Sequence, residues 1–391
     1  MQMSGDLGKY GHLSDLSELA EPHFNAEIHG LGVGNNLIKA HLDLGQIEGA
    51  RRILNELYAL KRPDWRPTLT FWDTEIAKTR INSTPVDQMK PMSVTMLCTE
   101  GPVWLKSNSP AVELFSLKPQ DSIGVCFLGS SADLSSPSSE IRLQMADSPG
   151  RLSRALPFFL AEQVAFKSRS SVQTLTPWIA EKPGGFVFSG KAWRDEDATN
   201  YARQSQGKSD YVIVSHLRTQ AEPWSAELRL IETKDGKLIG NLVALFPSSK
   251  PEEAIPTLAT QLISVLVREG HIETQAPPLL YKVPLGTDFG TYLLRLEQLL
   301  AVRVAGVDGT GPNFLKGERA IIAGNLELCV AYPDNVVTRI LLAQTVIAMK
   351  KVSPDVVAEF KDKLELLQRE RPVPEVANSV VQRMFEQALA S

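Results

Sequence analysis

The sequence predicts an α+β multidomain protein, with a central mixed α/β sheet domain set between helical arms. Three observations carry this prediction. Between residues 121 and 270, strand-like and helix-like patterns alternate and then give way to three β-rich runs, 211–217, 226–232 and 238–246, with Asp235-Gly236 as the turn between the last two. Ahead of them, residues 35–63 carry the apolar spacing of two helices joined at a glycine. Beyond a proline-containing link at 275–284, five helix patterns follow one another. The expected divisions are a helical segment over 1–80, a linker with short strands over 81–120, the α/β domain over 121–270 and a helical domain over 271–391.

A chain of 391 residues is longer than one typical domain and is able to bury more than one core. Hydrophobic residues at 43% and charged residues at 22% are ordinary for a globular protein, and a net charge of -4 carries no signature of polyanion binding, so nucleic acid is not an expected partner. Cys98, Cys126 and Cys329 are widely separated, lie among apolar neighbours and show no CxxC spacing, so they read as reduced core thiols. The first ten residues have no apolar signal core, and no run approaches the roughly 18 apolar residues of a membrane span. A cytoplasmic location without membrane insertion is therefore expected.

Taken in order, the first arm centres on a helical hairpin. Gly45 supplies the turn, and Ala50 offers a small side chain where the helices approach. Leu37, His41 and Leu44 face one way, and Ile53, Leu54 and Leu57 answer from the second helix. Pro67 then opens a third helix over 68–80, where its missing N–H costs nothing. The stretch 81–120 is rich in Pro and Ser, yet 93–98 and 102–105 read as short strands around a Glu100-Gly101 turn. The α/β domain opens with a doubly buried strand at 122–128. A helix over 149–167 follows, with Arg151, Arg154, Glu162 and Lys167 on its polar faces. The Ser-rich segment 130–139 is the expected flexible loop. A strand at 171–178, a Gly184-Gly185 break, a helix at 195–206, the three β runs and a helix at 251–268 complete the domain. In the last arm, Ser353-Pro354-Asp355 is a strong helix start, and Lys350 and Lys351 suit the negative end of the helix before it.

The residues Ser122-Ile123-Gly124-Val125, the run from Ser209 to Arg218, and the run from Glu227 to Glu232 before Asp235-Gly236, in this order of elements, resemble the TolB amino-terminal-like domain. The resemblance covers roughly two-fifths of the chain and implies a non-catalytic domain of the kind found beside tetratricopeptide repeats. The hairpin from Asn35 to Pro63 is similar to one such repeat, with His41 in place of the usual large aromatic. A single hairpin plus one helix falls short of the about three units such stacks need. Either the array continues ahead of Met1, which is the favoured expectation, or the arm packs on another part of the chain.

Motifs that carry chemistry are sparse. His23 and His29 are six apart and do not share a helix face, so no metal is expected there. Gly30, Gly32 and Gly34 lack a preceding strand and a following Lys-Ser/Thr, and read as a flexible turn between helices. No Gly-x-Ser-x-Gly or Cys/His signature supplies an activated nucleophile, and Cys126 and His216 on buried strands read as packed core groups. One binding face stands out. Asn35, Lys39 and Leu42 lie on one side of the first hairpin helix, where an amide and an ammonium suit a peptide carboxylate. The expected function is a non-enzymatic scaffold or adaptor that binds a protein partner through repeat-like helical grooves, with no catalytic residues, metal or cofactor. The alternative is a regulatory or sensory module whose α/β domain holds a small ligand.

Overall fold

The computed structural model describes residues 13–83, 94–116, 118–119, 121–133, 141–143, 148–179, 185–207, 209–306, 315 and 317–389. Its contacts divide the chain into two units, 1–92 and 93–391. Among the described residues they hold twelve α-helices and eight β-strands, an α+β architecture. The division between the units falls within the expected linker over 81–120, and the expected boundary at 270 lies inside the second unit.

The first unit is helical: α1 (Leu13–Ala20), α2 (Ala26–Asp43), α3 (Ile47–Ala59) and α4 (Arg66–Ser83). Asn25 starts α2, its side chain accepting from the Glu27 and Ile28 N–H groups at 2.9 and 3.2 Å. Of the glycines expected in a turn between helices, Gly30 leaves the helical conformation at φ 62°, ψ -164° and kinks α2 between two helical stretches, whereas Gly32 and Gly34 belong to the second of them. The other end of the glycine run has a packing reason. A Cβ on Gly34 would stand 2.6 Å from Leu57 Cδ1, and one on Gly49 2.6 Å from the His41 ring, so α2 and α3 close on each other through a glycine from each side. Leu37, Ile53, Leu54 and Leu57 form the core between them.

In the second unit, the strands are β1 (Val94–Glu100), β2 (Gly124–Leu128), β3 (Ile141–Leu143), β4 (Ser171–Ile179), β5 (Gly185–Ser189), β6 (Tyr211–Arg218), β7 (Trp224–Glu232) and β8 (Leu238–Phe246). β2 runs parallel to both β4 and β6, and β7 and β8 extend the sheet antiparallel. β1 pairs antiparallel with β4 along its whole length, so residues 94–100 are an integral strand and their partner is not 102–105, which folds as a turn. Because residues 173–175 of β4 pair with β1 and β2 at once, those two occupy opposite edges of β4, and β5 follows β2 on the same edge.

Helices cover both faces. α5 (Ser148–Lys167) packs on β4, β2 and β6, α7 (Ile255–Arg268) packs beside it under β8, and α6 (Asp195–Gln204) covers β6 and β7 from the opposite face. α8 (Phe289–Ala305) lies on α5, and α9 (Glu318–Ala331), α10 (Val336–Val352), α11 (Pro354–Glu370) and α12 (Glu375–Leu389) build outward from it. One apolar cluster runs from the sheet through α5 into these helices. A helix clamped between two layers has no solvated face, and α5 is buried on every side from Ser153 to Phe166. Arg154 and Glu162, expected on polar faces, are therefore interior.

Candidate functional site

The three residues of the expected peptide face have different surroundings. Asn35 is half-buried, and its side-chain oxygen accepts the Trp72 indole N–H at 2.8 Å, which draws α4 against α2. Lys39, one turn further along α2, is exposed, while Leu42 packs against the core of the hairpin. An ion pair between Arg51 and Asp73 joins α3 to α4. The face thus consists of an exposed ammonium beside the seam between α2 and α4. The seam itself is built by Asn35 and Trp72.

The second polar concentration lies at the carboxyl end of β2, where ligands of parallel sheets commonly bind. Its geometry starts from Pro157 inside α5. Proline has no N–H, so the Ser153 carbonyl four residues earlier loses its helical donor. The Ser130 N–H takes that place at 3.0 Å. This brings the chain so close to α5 that a Cβ on Gly129 would lie 2.6 Å from Ser153 O and 2.8 Å from Pro157 Cγ, and it puts Ser130 at φ 62°. Beyond this turn Ala132 bridges Leu217, and the Asp133 N–H donates to the Leu217 carbonyl at 2.8 Å.

There His216, on β6, meets two side chains of the same segment. Its Nε2 lies 2.9 Å from Asp133 Oδ1 and its Nδ1 3.0 Å from Ser131 Oγ. A carboxylate only accepts, so the His216 Nε2–H donates to Asp133 Oδ1, while the Ser131 hydroxyl donates to the Ser215 carbonyl. A serine, a histidine and an aspartate in line have the order of a nucleophile relay. Ser131, however, is fully buried, with its Oγ also 3.1 Å from the Ser215 carbonyl. The three side chains pin the tail of β2 to β6, so His216 is the satisfied core imidazole that its strand pattern implied. Of the cysteines, Cys126 and Cys329 are buried as expected, but Cys98 is exposed on β1, its Sγ 3.2 Å from Gln173 Oε1.

The most deeply enclosed carboxyl is Glu162. The Trp104 indole N–H and the Tyr281 and Tyr292 hydroxyls all donate to it at 2.7–2.8 Å, and Gln163 Nε2 donates to the Tyr281 oxygen at 2.6 Å. Burial pushes its pKa up to about 7, against the opposing pull of hydrogen bonds from Tyr292, Tyr281 and Trp104. Two turns back on α5, Arg154 forms a buried ion pair with Glu297 of α8, with Nε and Nη2 2.9 and 2.8 Å from one carboxylate oxygen. Both groups join α5 to segments more than a hundred residues away, and Glu162 also holds the turn after β1. Sequence reading missed them because a charged residue on an amphipathic helix looks solvated until its covering layer is known. The signals available were Pro157 in a helix pattern and the apolar residues on all sides of α5.

A cleft of about 470 Å³ opens at the start of β6, lined by Arg203, Ser209, Asp210, Tyr211, Glu232 and Lys234 among others. Its size suits a small molecule. Two of its charged walls are engaged: Arg203 donates to the Thr233 and Lys234 carbonyls, and Asp210 accepts the Gly124 N–H. Among the described residues no three His, Cys, Asp or Glu side chains are grouped to hold a metal ion, and no helix is long and apolar enough to cross a membrane. Compared with known proteins, the chain matches no family model, no curated protein and no solved structure.

Proposed function

We propose that the chain is a non-enzymatic scaffold or adaptor, in which a tetratricopeptide-like helical unit holds a protein partner and a TolB amino-terminal-like α/β unit forms the body. The observation that carries this reading is the packing of α4 on the α2–α3 hairpin through the Trp72–Asn35 hydrogen bond. A third helix so placed corresponds to the first helix of a next repeat, and the groove of such a stack is lined by its first helices. Lys39 then supplies the charge for a partner's carboxylate, and Asn35 sets the seam beside it. This reading requires no bond-making residue. It is tested by affinity capture from the source cells with the full chain and with Lys39→Glu. A partner retained by the first and lost by the second is expected, and equal recovery with both removes the reading.

A second reading rests on the cleft beside Arg203 and Tyr211, whose volume favours a small ligand bound by the α/β unit. Native mass spectrometry of the purified chain checks it. Mass in excess of the polypeptide, released on unfolding, supports a ligand; the bare polypeptide mass favours the adaptor.

A further inference from the structure

We propose that β8 and the outer side of α7 form a two-fold interface with a second copy of this chain. β8 is the last strand of the sheet and pairs only with β7 among the described residues. An edge strand offers a row of unpaired N–H and C=O groups, and natural edges are guarded by charge, proline, shortness or a bulge. β8 is nine residues long, reads Leu-Ile-Gly-Asn-Leu-Val-Ala-Leu-Phe, and has neither charge nor proline. Its one guard is a bulge between its pairings with Leu230 and Ile231, which sets Ile239 out of register and leaves 240–246 as a regular edge.

The side chains along this edge are apolar where solvent would be expected. Val243 is 55% and Leu245 63% exposed, and Leu238 beyond the bulge is 48% exposed. Under the strand, α7 turns Thr257, Thr260, Gln261 and Ser264 outward, and the Thr260 and Ser264 hydroxyls donate back to their own helix at 3.1 and 2.9 Å. In a chain with 22% charged residues, nine strand positions and these four helix positions contain no charge. Charge resumes at the ends with Lys237 and with Arg268, which binds Glu269, and on β7 with Glu227 and Arg229, which are held by Arg218 and Asp195.

The lack of charge suits a second copy as the occupant. Any antiparallel pairing of β8 with its own copy sets each residue against others of the same strand, so a charged edge would meet its like, whereas this one sets Leu, Val, Ala and Asn together. The pairing continues one sheet across both copies and brings the two α7 helices alongside. An edge of seven residues is about 24 Å long, and a sheet with one helix layer is about 20 Å thick. The contact is then about 500 Å² on each copy, about 1,000 Å² in all, which is the size at which a specific interface begins.

Sedimentation velocity on the full chain is the test. The wild type is expected at twice the 43.0 kDa of the chain, and Val243→Lys/Leu245→Lys at the single-chain mass. Both positions are exposed, so the variant's circular dichroism is expected to match the wild type. A monomeric wild type, an open-ended ladder of masses, or a dimer that survives in the folded variant overturns the proposal.

Discussion

The helical unit at 13–83 and the sheet unit at 94–389 use polar side chains in opposite ways. In the first, the Trp72–Asn35 and Arg51–Asp73 pairs join neighbouring helices at partly exposed positions, across 37 and 22 residues of sequence. In the second, Glu162 and Arg154 are interior, and their partners in α8 stand 130 and 143 residues away. The difference teaches which contacts a local pattern is able to specify. Seams among α2, α3 and α4 form within one short stretch of chain. A buried carboxyl with three donors exists only when the turn after β1, the link before α8 and α8 itself are all docked on α5.

The comparison is broken most severely at Arg154. Arg154→Met removes the guanidinium that neutralises buried Glu297, and a loss of about 3–5 kcal/mol in urea unfolding is expected. Arg154→Met/Glu297→Leu, which leaves no interior charge, is expected to recover most of that loss. If the double variant is no better than the single one, the pair is not an isolated electrostatic joint.

Next in size is the pH response of Glu162. Its folded pKa is raised above the ordinary 4.5 to about 7. Between those values the native state keeps a proton that the unfolded chain releases, so the stabilisation is complete below pH 4.5 and is lost as pH rises to 7. The full change is about 3 kcal/mol. Glu162→Gln is expected to flatten this part of the stability-pH curve. Parallel curves for the two proteins would place the titration elsewhere.

The smallest effect belongs to the helical unit. Trp72→Phe keeps the ring but deletes the donor to Asn35, and a loss of about 1 kcal/mol is expected, confined to residues 13–83 by hydrogen exchange. Loss of protection across the sheet would contradict the two-unit organisation.

The same contrast explains what was legible in the sequence. The hairpin was readable because Gly45, Leu37, Ile53 and Leu57 lie within a short window, and the β6–β7–β8 meander because Asp235-Gly236 and alternating apolar residues mark it locally. Residues 93–98 read as a strand inside a linker, yet the partner of β1 in β4 begins some 75 positions on, and nothing local names it. Arg154 and Glu162 looked like the wet side of an amphipathic helix for the same reason. At the candidate sites, His216 was correctly placed on a buried strand, but Ser131 and Asp133 enter only through the turn that Pro157 makes possible. Lys39 was placed on an open face, whereas the engagement of Asn35 by Trp72 required the position of α4.

The most direct test of the binding account measures an array of acidic peptides with free carboxyl termini against the full chain, wild type and Lys39→Glu, with the Tm of each determined alongside. Lys39 is exposed, so an unchanged Tm with saturable binding by the wild type alone is the predicted result. No binding by the wild type, or equal binding by both, would contradict the account.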